Sequence, residues 1–140
     1  MRSMVRIDED RIKEAVGSAL MDMKEIAGVY LFGSALGLCR PDSDIDIGLV
    51  IKPLYGKPDK YYLDIALAAE TRLDPIDGHP FQVVPLNITD CIFAFNVIRK
   101  GRLIHEPDHE AVTDFTEMIS RRYGENYPRY IKYLKEIVGA

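Results

Sequence analysis

The sequence contains no tryptophan, no long apolar run and only two cysteines, Cys39 and Cys91. Zinc sites need closely spaced sets of cysteine and histidine, so these two are expected to be free thiols. No segment approaches the roughly 20 consecutive apolar residues of a membrane span, and the N-terminus lacks the apolar core of a secretory signal. We therefore expect a cytoplasmic protein with no membrane contact.

A basic excess is also missing, because 18 lysine and arginine residues stand against 22 aspartates and glutamates, for a formal net charge of -4. Proteins that coat nucleic acid usually carry a basic face, so nucleic acid is not indicated as a partner. The chain has no Gly-Lys-Ser/Thr element, which excludes a P-loop. Ser34 does not lie between glycines at the offsets of a nucleophile elbow, which makes a serine hydrolase a poor interpretation.

Helical periodicity alternates with short β-prone runs along the chain. Helices are predicted over residues 8–26, 61–73, 89–100 and 111–138, the last with a break near Pro128. Strands are predicted over residues 29–32, 45–51 and 81–84, with a short extended piece at 102–105. No repeat or composition shift marks a second domain, so one domain is expected over residues 1–140, with a helical segment from about 107. This order indicates an α/β or α+β fold, in which helices flank a small mixed sheet.

Two short motifs follow one another at the strand ends. Gly33-Ser34 comes directly after the first predicted strand, and Asp44-Ile45-Asp46 opens the second. Residues two apart on a strand project to the same face, so Asp44 and Asp46 are expected to point together. Paired carboxylates suit Mg²⁺ that is shared with substrate phosphates, while Gly33 and Ser34 can contact a phosphate closely.

Gly33-Ser34, together with Ser43-Asp44-Ile45-Asp46, resembles the DNA polymerase β-like nucleotidyltransferase superfamily. The short chain, with its C-terminal part from Arg102 to Tyr123, looks like the minimal nucleotidyltransferases (MNT type) that are encoded beside HEPN toxins as their antitoxins. The resemblance implies a polymerase β palm-like fold and Asp44 and Asp46 as catalytic metal ligands for Mg²⁺. It also implies Gly33 and Ser34 as contacts to a nucleoside triphosphate, with ATP as substrate and AMP as the group transferred. A HEPN-family protein is the partner implied.

The third carboxylate of that family is absent from its expected position. Gln82 lies in the third predicted strand, where the family has an acid, and an amide is a poorer Mg²⁺ ligand and no base. Glu70 and Asp77 could replace it, although both are expected to be solvated. The sequence therefore leaves two functions open, a nucleotidyltransferase with impaired activity and a nucleotide-binding antitoxin that transfers nothing.

Other polar and aromatic residues are interpreted as structural. His79 and His109 lie beside prolines in predicted loops and are expected to be solvated. Tyr123, Tyr127 and Tyr130 occur at helical spacing, which more often indicates helix packing than a ligand site. Tyrosines are also typical of partner surfaces, so a contact of this helical tail with a protein partner is the minority interpretation.

Overall fold

The computed structural model describes residues 3–137 and contains four helices and six strands in that range. The helices are α1 (Glu9–Ala19), α2 (Asp59–Thr71), α3 (Cys91–Lys100) and α4 (His109–Ile137). The strands are β1 (Val5–Arg6), β2 (Ile26–Phe32), β3 (Leu38–Cys39), β4 (Ile45–Ile51), β5 (Phe81–Pro85) and β6 (Arg102–His105). Short 3₁₀ turns follow β2 and β5, at Gly33–Leu36 and Leu86–Ile88.

The central sheet has the strand order β5-β4-β2-β6. β2 runs antiparallel to both of its neighbours, whereas β4 and β5 are parallel because α2 crosses over between them. The two short strands β1 and β3 pair antiparallel in a separate small sheet. The predicted mixed α/β fold with a helical C-terminal segment is therefore confirmed.

The two faces of the central sheet bury different partners, because successive strand residues point to opposite sides. Ile45, Ile47 and Leu49 of β4 lie on the face that packs against α1 and α2. Val50 lies on the other face, in a second apolar cluster with residues of α3 and α4 such as Phe115. Asp46 and Gly48 alternate with the isoleucines and so share this second face.

Two predicted helices differ from those observed. The first helix ends at Ala19 and not at residue 26, because the chain turns after Leu20. Leu20 and Met23 are buried beyond the end of the helix, and their apolar spacing made the predicted helix too long. The last helix continues through Pro128 without the expected break. The proline nitrogen cannot donate a hydrogen bond to the carbonyl of Gly124, four residues earlier. Both residues are exposed, so water can solvate that carbonyl. Residue 138, predicted to be helical, lies outside the described residues.

The tyrosines of α4 follow the packing interpretation in part. The Tyr123 ring stacks on Phe95 of α3 with a centroid distance of 3.9 Å, and Tyr127 stacks on Tyr123 at 5.0 Å. Tyr130 is 41% exposed. Within residues 3–137 no helix is both long and apolar enough to cross a membrane.

Candidate active site

The turn after β2 touches the start of β4. Gly33 has a φ of 76°, in the left-handed region that favours glycine. A Cβ on this residue would lie 2.6 Å from Oδ2 of Asp46, closer than any real contact. The turn therefore needs glycine for its backbone conformation and for the approach of the carboxylate. Gly33 and Ser34 are both exposed, so the turn can be reached from solvent.

The two aspartates occupy different environments. Asp44 is exposed in the loop just before β4, whereas Asp46 is the second residue of the strand and half-buried. Burial, and to a lesser extent the charge of Asp44, raise the pKa of Asp46 above its ordinary value. The two carboxylates are thus close enough to repel one another, and a bound cation would relieve this repulsion.

Gln82 lies directly beside Asp46 on the neighbouring strand. The register of β4 and β5 pairs Asp46 with Gln82, and that of β2 and β4 pairs Asp46 with Phe32. Paired positions in adjacent strands share a face, so Phe32, Asp46 and Gln82 form one row across three strands, on the face of α3. The exposed Gln82 holds the position at which a third acid would complete the row.

Neither alternative acid reaches this row. Oε1 of Glu70 accepts a hydrogen bond of 3.0 Å from the backbone N–H of Val83, on the outer edge of β5. The prediction that Glu70 is simply solvated is therefore wrong, because it satisfies an edge-strand donor. Asp77 is exposed and pairs with Arg11 at 2.7 Å.

The loop that carries Asp44 is held by a neighbouring turn. Nδ1 of His79 lies 2.7 Å from the carbonyl oxygen of Ser43, and the N–H of Ile45 donates to the carbonyl of Pro80 at 2.8 Å. His79 is only 4% exposed, so the prediction of a solvated histidine is wrong for this residue. His109, in contrast, is exposed and pairs with Glu106 at 2.8 Å. His79 is thus a positioning residue for Asp44, which sequence spacing did not reveal because the contact spans 36 residues.

The donor set fits Mg²⁺ shared with a phosphate chain. Within residues 3–137, no group of three or more histidine, cysteine or acidic side chains is arranged to hold a metal ion by itself. Mg²⁺ is usually held by one or two carboxylates, with substrate phosphates and water as further ligands. Asp44 and Asp46 supply such a pair, so a metal would enter together with a nucleotide.

A small cavity of about 180 Å³ opens beside Gly33, walled by one face of α3. Phe93, Asn96 and Lys100 line it at helical spacings of three and four, and Phe93 meets Phe32 edge-to-face at a centroid distance of 5.7 Å. These residues were not among those predicted for the site. The helical spacing is visible in the sequence, but only the packing of α3 shows that this face meets the Gly33 turn.

Comparisons with known proteins agree with the fold and identify a family. A sequence model of the family described as polymerase beta, nucleotidyltransferase matches residues 14–110, more than half of the chain. A search of curated proteins finds no match to the sequence.

Similar solved structures are toxin–antitoxin complexes, and at these low identities they show the fold alone. A complex with AMP-PNP is 17% identical with a TM-score of 0.61, covering 91% of this chain and 98% of the matched one. A mutant of the toxin–antitoxin MntA-HpeT is 17% identical with a TM-score of 0.60, covering 96% of this chain and 100% of the matched one. A tri-AMPylated Shewanella oneidensis HEPN toxin in complex with MNT antitoxin is 15% identical with a TM-score of 0.60, covering 93% of this chain and 95% of the matched one.

Proposed function

Because the chain belongs to the polymerase beta nucleotidyltransferase family, we propose that it transfers AMP from ATP to a protein acceptor, with Mg²⁺ as cofactor. The observation that carries the proposal is the contact between the Gly33 turn and the Asp46 carboxylate, with Asp44 beside it. An exposed glycine-serine turn and a pair of acids thus meet at one end of the sheet.

The residues divide the work of the transfer. The exposed Gly33-Ser34 turn would contact the phosphates through its backbone N–H groups and the Ser34 hydroxyl. Asp44 and Asp46 would hold Mg²⁺, which supplies positive charge to the phosphate oxygens during the reaction. His79 holds the Ser43 carbonyl and so fixes the loop from which Asp44 projects.

The reaction is an in-line displacement at the α-phosphorus. The acceptor hydroxyl oxygen forms a bond to this phosphorus, the bond to the bridging oxygen breaks, and pyrophosphate leaves. Gln82 is uncharged and cannot accept the hydroxyl proton, which therefore passes to water. The lack of a base at this position predicts a slow reaction.

A HEPN-type protein is the acceptor that we propose. The fold neighbours include an AMPylated HEPN toxin with MNT antitoxin and a toxin–antitoxin bound to AMP-PNP, and both cover nearly all of this chain. The distal part of α4 exposes tyrosines, among them Tyr130 and Tyr133, which suit a protein contact. The chain would then be an antitoxin that modifies its toxin.

A second candidate is a nucleotide-binding antitoxin that transfers nothing. It is favoured by Gln82, which faces Asp46 where a third acid would be needed to hold a second metal. In this version Mg-ATP binds at Asp44 and Asp46, and the partner is held without being modified.

Co-expression with a HEPN-type protein encoded by a neighbouring gene separates these functions. We expect a complex on size exclusion, and AMP on the partner by intact mass. Asp46→Asn should abolish the AMP adduct and leave the complex. An unmodified partner in a stable wild-type complex would favour the binding-only function, and no complex and no adduct would contradict both.

A further inference from the structure

Helix α3 turns one stripe of side chains toward the Gly33 turn. Phe93, Asn96 and Lys100 lie at positions i, i+3 and i+7, and all three line the cavity that contains Gly33. The stripe combines an aromatic ring, an amide and a cation. These are the three side-chain types that a base, its hydrogen-bonding edge and a phosphate chain require.

The polar ends of this stripe have no partners within residues 3–137. No ion pair or side-chain hydrogen bond there involves the Lys100 amino group or the Asn96 amide, and both side chains are at least partly exposed. Two other cations of this region are already engaged, since Arg102 pairs with Glu9 and Arg40 lies 3.4 Å from Asp42. Lys100 is the only charged residue among the described residues of this cavity wall.

The charges of the site and of a bound triphosphate also favour a cation at this place. Two carboxylates lie at the start of β4, and an ATP molecule adds several more negative charges on its phosphates. Mg²⁺ cannot balance all of them, and the residues that follow Ser34 are Ala35, Leu36 and Gly37, which carry no charge. Lys100, beside the Gly33 turn, supplies the positive charge that the turn itself lacks.

The cavity beside Gly33 shares two of its lining residues with a larger groove. Phe93 and Asn96 also line a groove of about 560 Å³ between the start of α3 and α4, with Tyr130 on its far side. A volume of this size accommodates a small ligand, whereas 180 Å³ beside Gly33 does not hold a whole nucleotide. The order along α3 therefore places a phosphate chain at the Lys100 end and a nucleoside at the Phe93 end.

We propose that α3 binds the nucleotide, with Lys100 on the triphosphate and Phe93 and Asn96 on an adenine base. This assignment rests on the proposed function, because it takes Mg-ATP as the ligand of Asp44 and Asp46. An asparagine amide offers a donor and an acceptor, which match N7 and N6 of adenine, whereas N7 and O6 of guanine are both acceptors. The Phe93 ring, 38% exposed, gives the base an apolar surface to stack on.

Titration calorimetry with two ligands separates the two halves of the assignment. Mg-ATP carries a base, whereas Mg-tripolyphosphate presents only the phosphate chain. Lys100→Gln should weaken both ligands to a similar extent, by about tenfold. Asn96→Ala and Phe93→Leu should weaken Mg-ATP by about fivefold or more and leave Mg-tripolyphosphate unchanged.

The controls distinguish failure of this assignment from failure of the function. Lys13→Gln, on the exposed surface of α1, should bind both ligands as wild type does. Wild type should prefer Mg-ATP over Mg-GTP, and Asn96→Ala should lose the preference.

If wild type binds both probes and the α3 variants bind Mg-ATP normally, the assignment is wrong and the function stands. If they bind Mg-ATP normally but lose AMP transfer, the groove holds the acceptor instead. If wild type binds neither probe, the function and the assignment both fail.

Discussion

The two faces of the central sheet differ in what they do. On one face, β4 contributes Ile45, Ile47, Leu49 and Ile51, which are fully buried against α1 and α2. On the other face, the same strand contributes Asp46, whose carboxylate is half-buried and close to Asp44. A single strand thus packs apolar residues on both sides, and on the second side it also carries the candidate chemistry at its start. The faces can be tested separately, because a substitution on one leaves the other largely intact.

The largest loss of stability is expected on the apolar face. Ile47→Ala removes a fully buried side chain and should lower the free energy of unfolding by about 2–5 kcal/mol. Urea denaturation measures this change, with Leu67→Ala as the matched control because Leu67 is 61% exposed and should change little. If both variants lost equal stability, the β4 core would not be the stabilising element.

Gly33→Ala should combine a moderate loss of stability with a complete loss of function. The positive φ alone costs about 1–2 kcal/mol for a residue with a side chain, and the new Cβ would displace the Asp46 carboxylate. Thermal melting with and without Mg-ATP measures both effects. Gly37→Ala is the control, because a Cβ there meets nothing within 4 Å. Normal nucleotide binding by Gly33→Ala would show that the close contact is dispensable.

Gln82→Asp tests whether the row across β2, β4 and β5 is a catalytic site that lacks one ligand. The added carboxylate would lie beside Asp46 and should raise the rate of AMP transfer by about tenfold, equivalent to about 1.4 kcal/mol, through tighter metal binding. Radiolabelled ATP measures the transfer, and Gln82→Asn is the uncharged control. A wild-type rate that Gln82→Asp leaves unchanged or lowers would show that the amide is no handicap.

Asp46→Asn should slightly raise the stability of the unliganded protein at neutral pH. The folded state raises the pKa of this carboxyl, so the unliganded protein is favoured by protonation at low pH, and this contribution is lost as pH rises through the raised value. Without ligand, the variant should therefore melt slightly above wild type at neutral pH and equal to it below the ordinary carboxyl pKa. A variant that melts lower at neutral pH would contradict an electrostatic penalty on the ionised Asp46 carboxylate.

The sequence was sufficient for those parts of the site that depend on local order. A glycine directly after one strand and acids at the start of the next predicted that both acids lie near the Gly33-Ser34 turn, and the structure brings Asp46 against Gly33. The family resemblance, and not a local pattern, predicted Gln82 at the position of the third acid, on the strand that the structure pairs with β4. The family resemblance is confirmed by the match over residues 14–110.

The residues that were missed depend on packing between distant segments. His79 was assigned to solvent because a loop histidine beside a proline is usually exposed, and only the fold brings it to Ser43. Lys100 and Asn96 are ordinary residues of an amphipathic helix until α3 packs beside the Gly33 turn. The uninterrupted α4 was missed because local rules for Pro128 do not include solvation of an exposed carbonyl.

The direct test of the central claim is the binding of Mg-ATP at Gly33, Asp44 and Asp46, measured as a thermal shift. At a ligand concentration about a hundredfold above the dissociation constant, binding to the folded state alone should stabilise wild type by about 2.7 kcal/mol. Asp44→Ala should show no shift, although its unliganded melting temperature stays near that of wild type because Asp44 is exposed. No shift of wild type with Mg-ATP, or an equal shift of Asp44→Ala, would contradict the account.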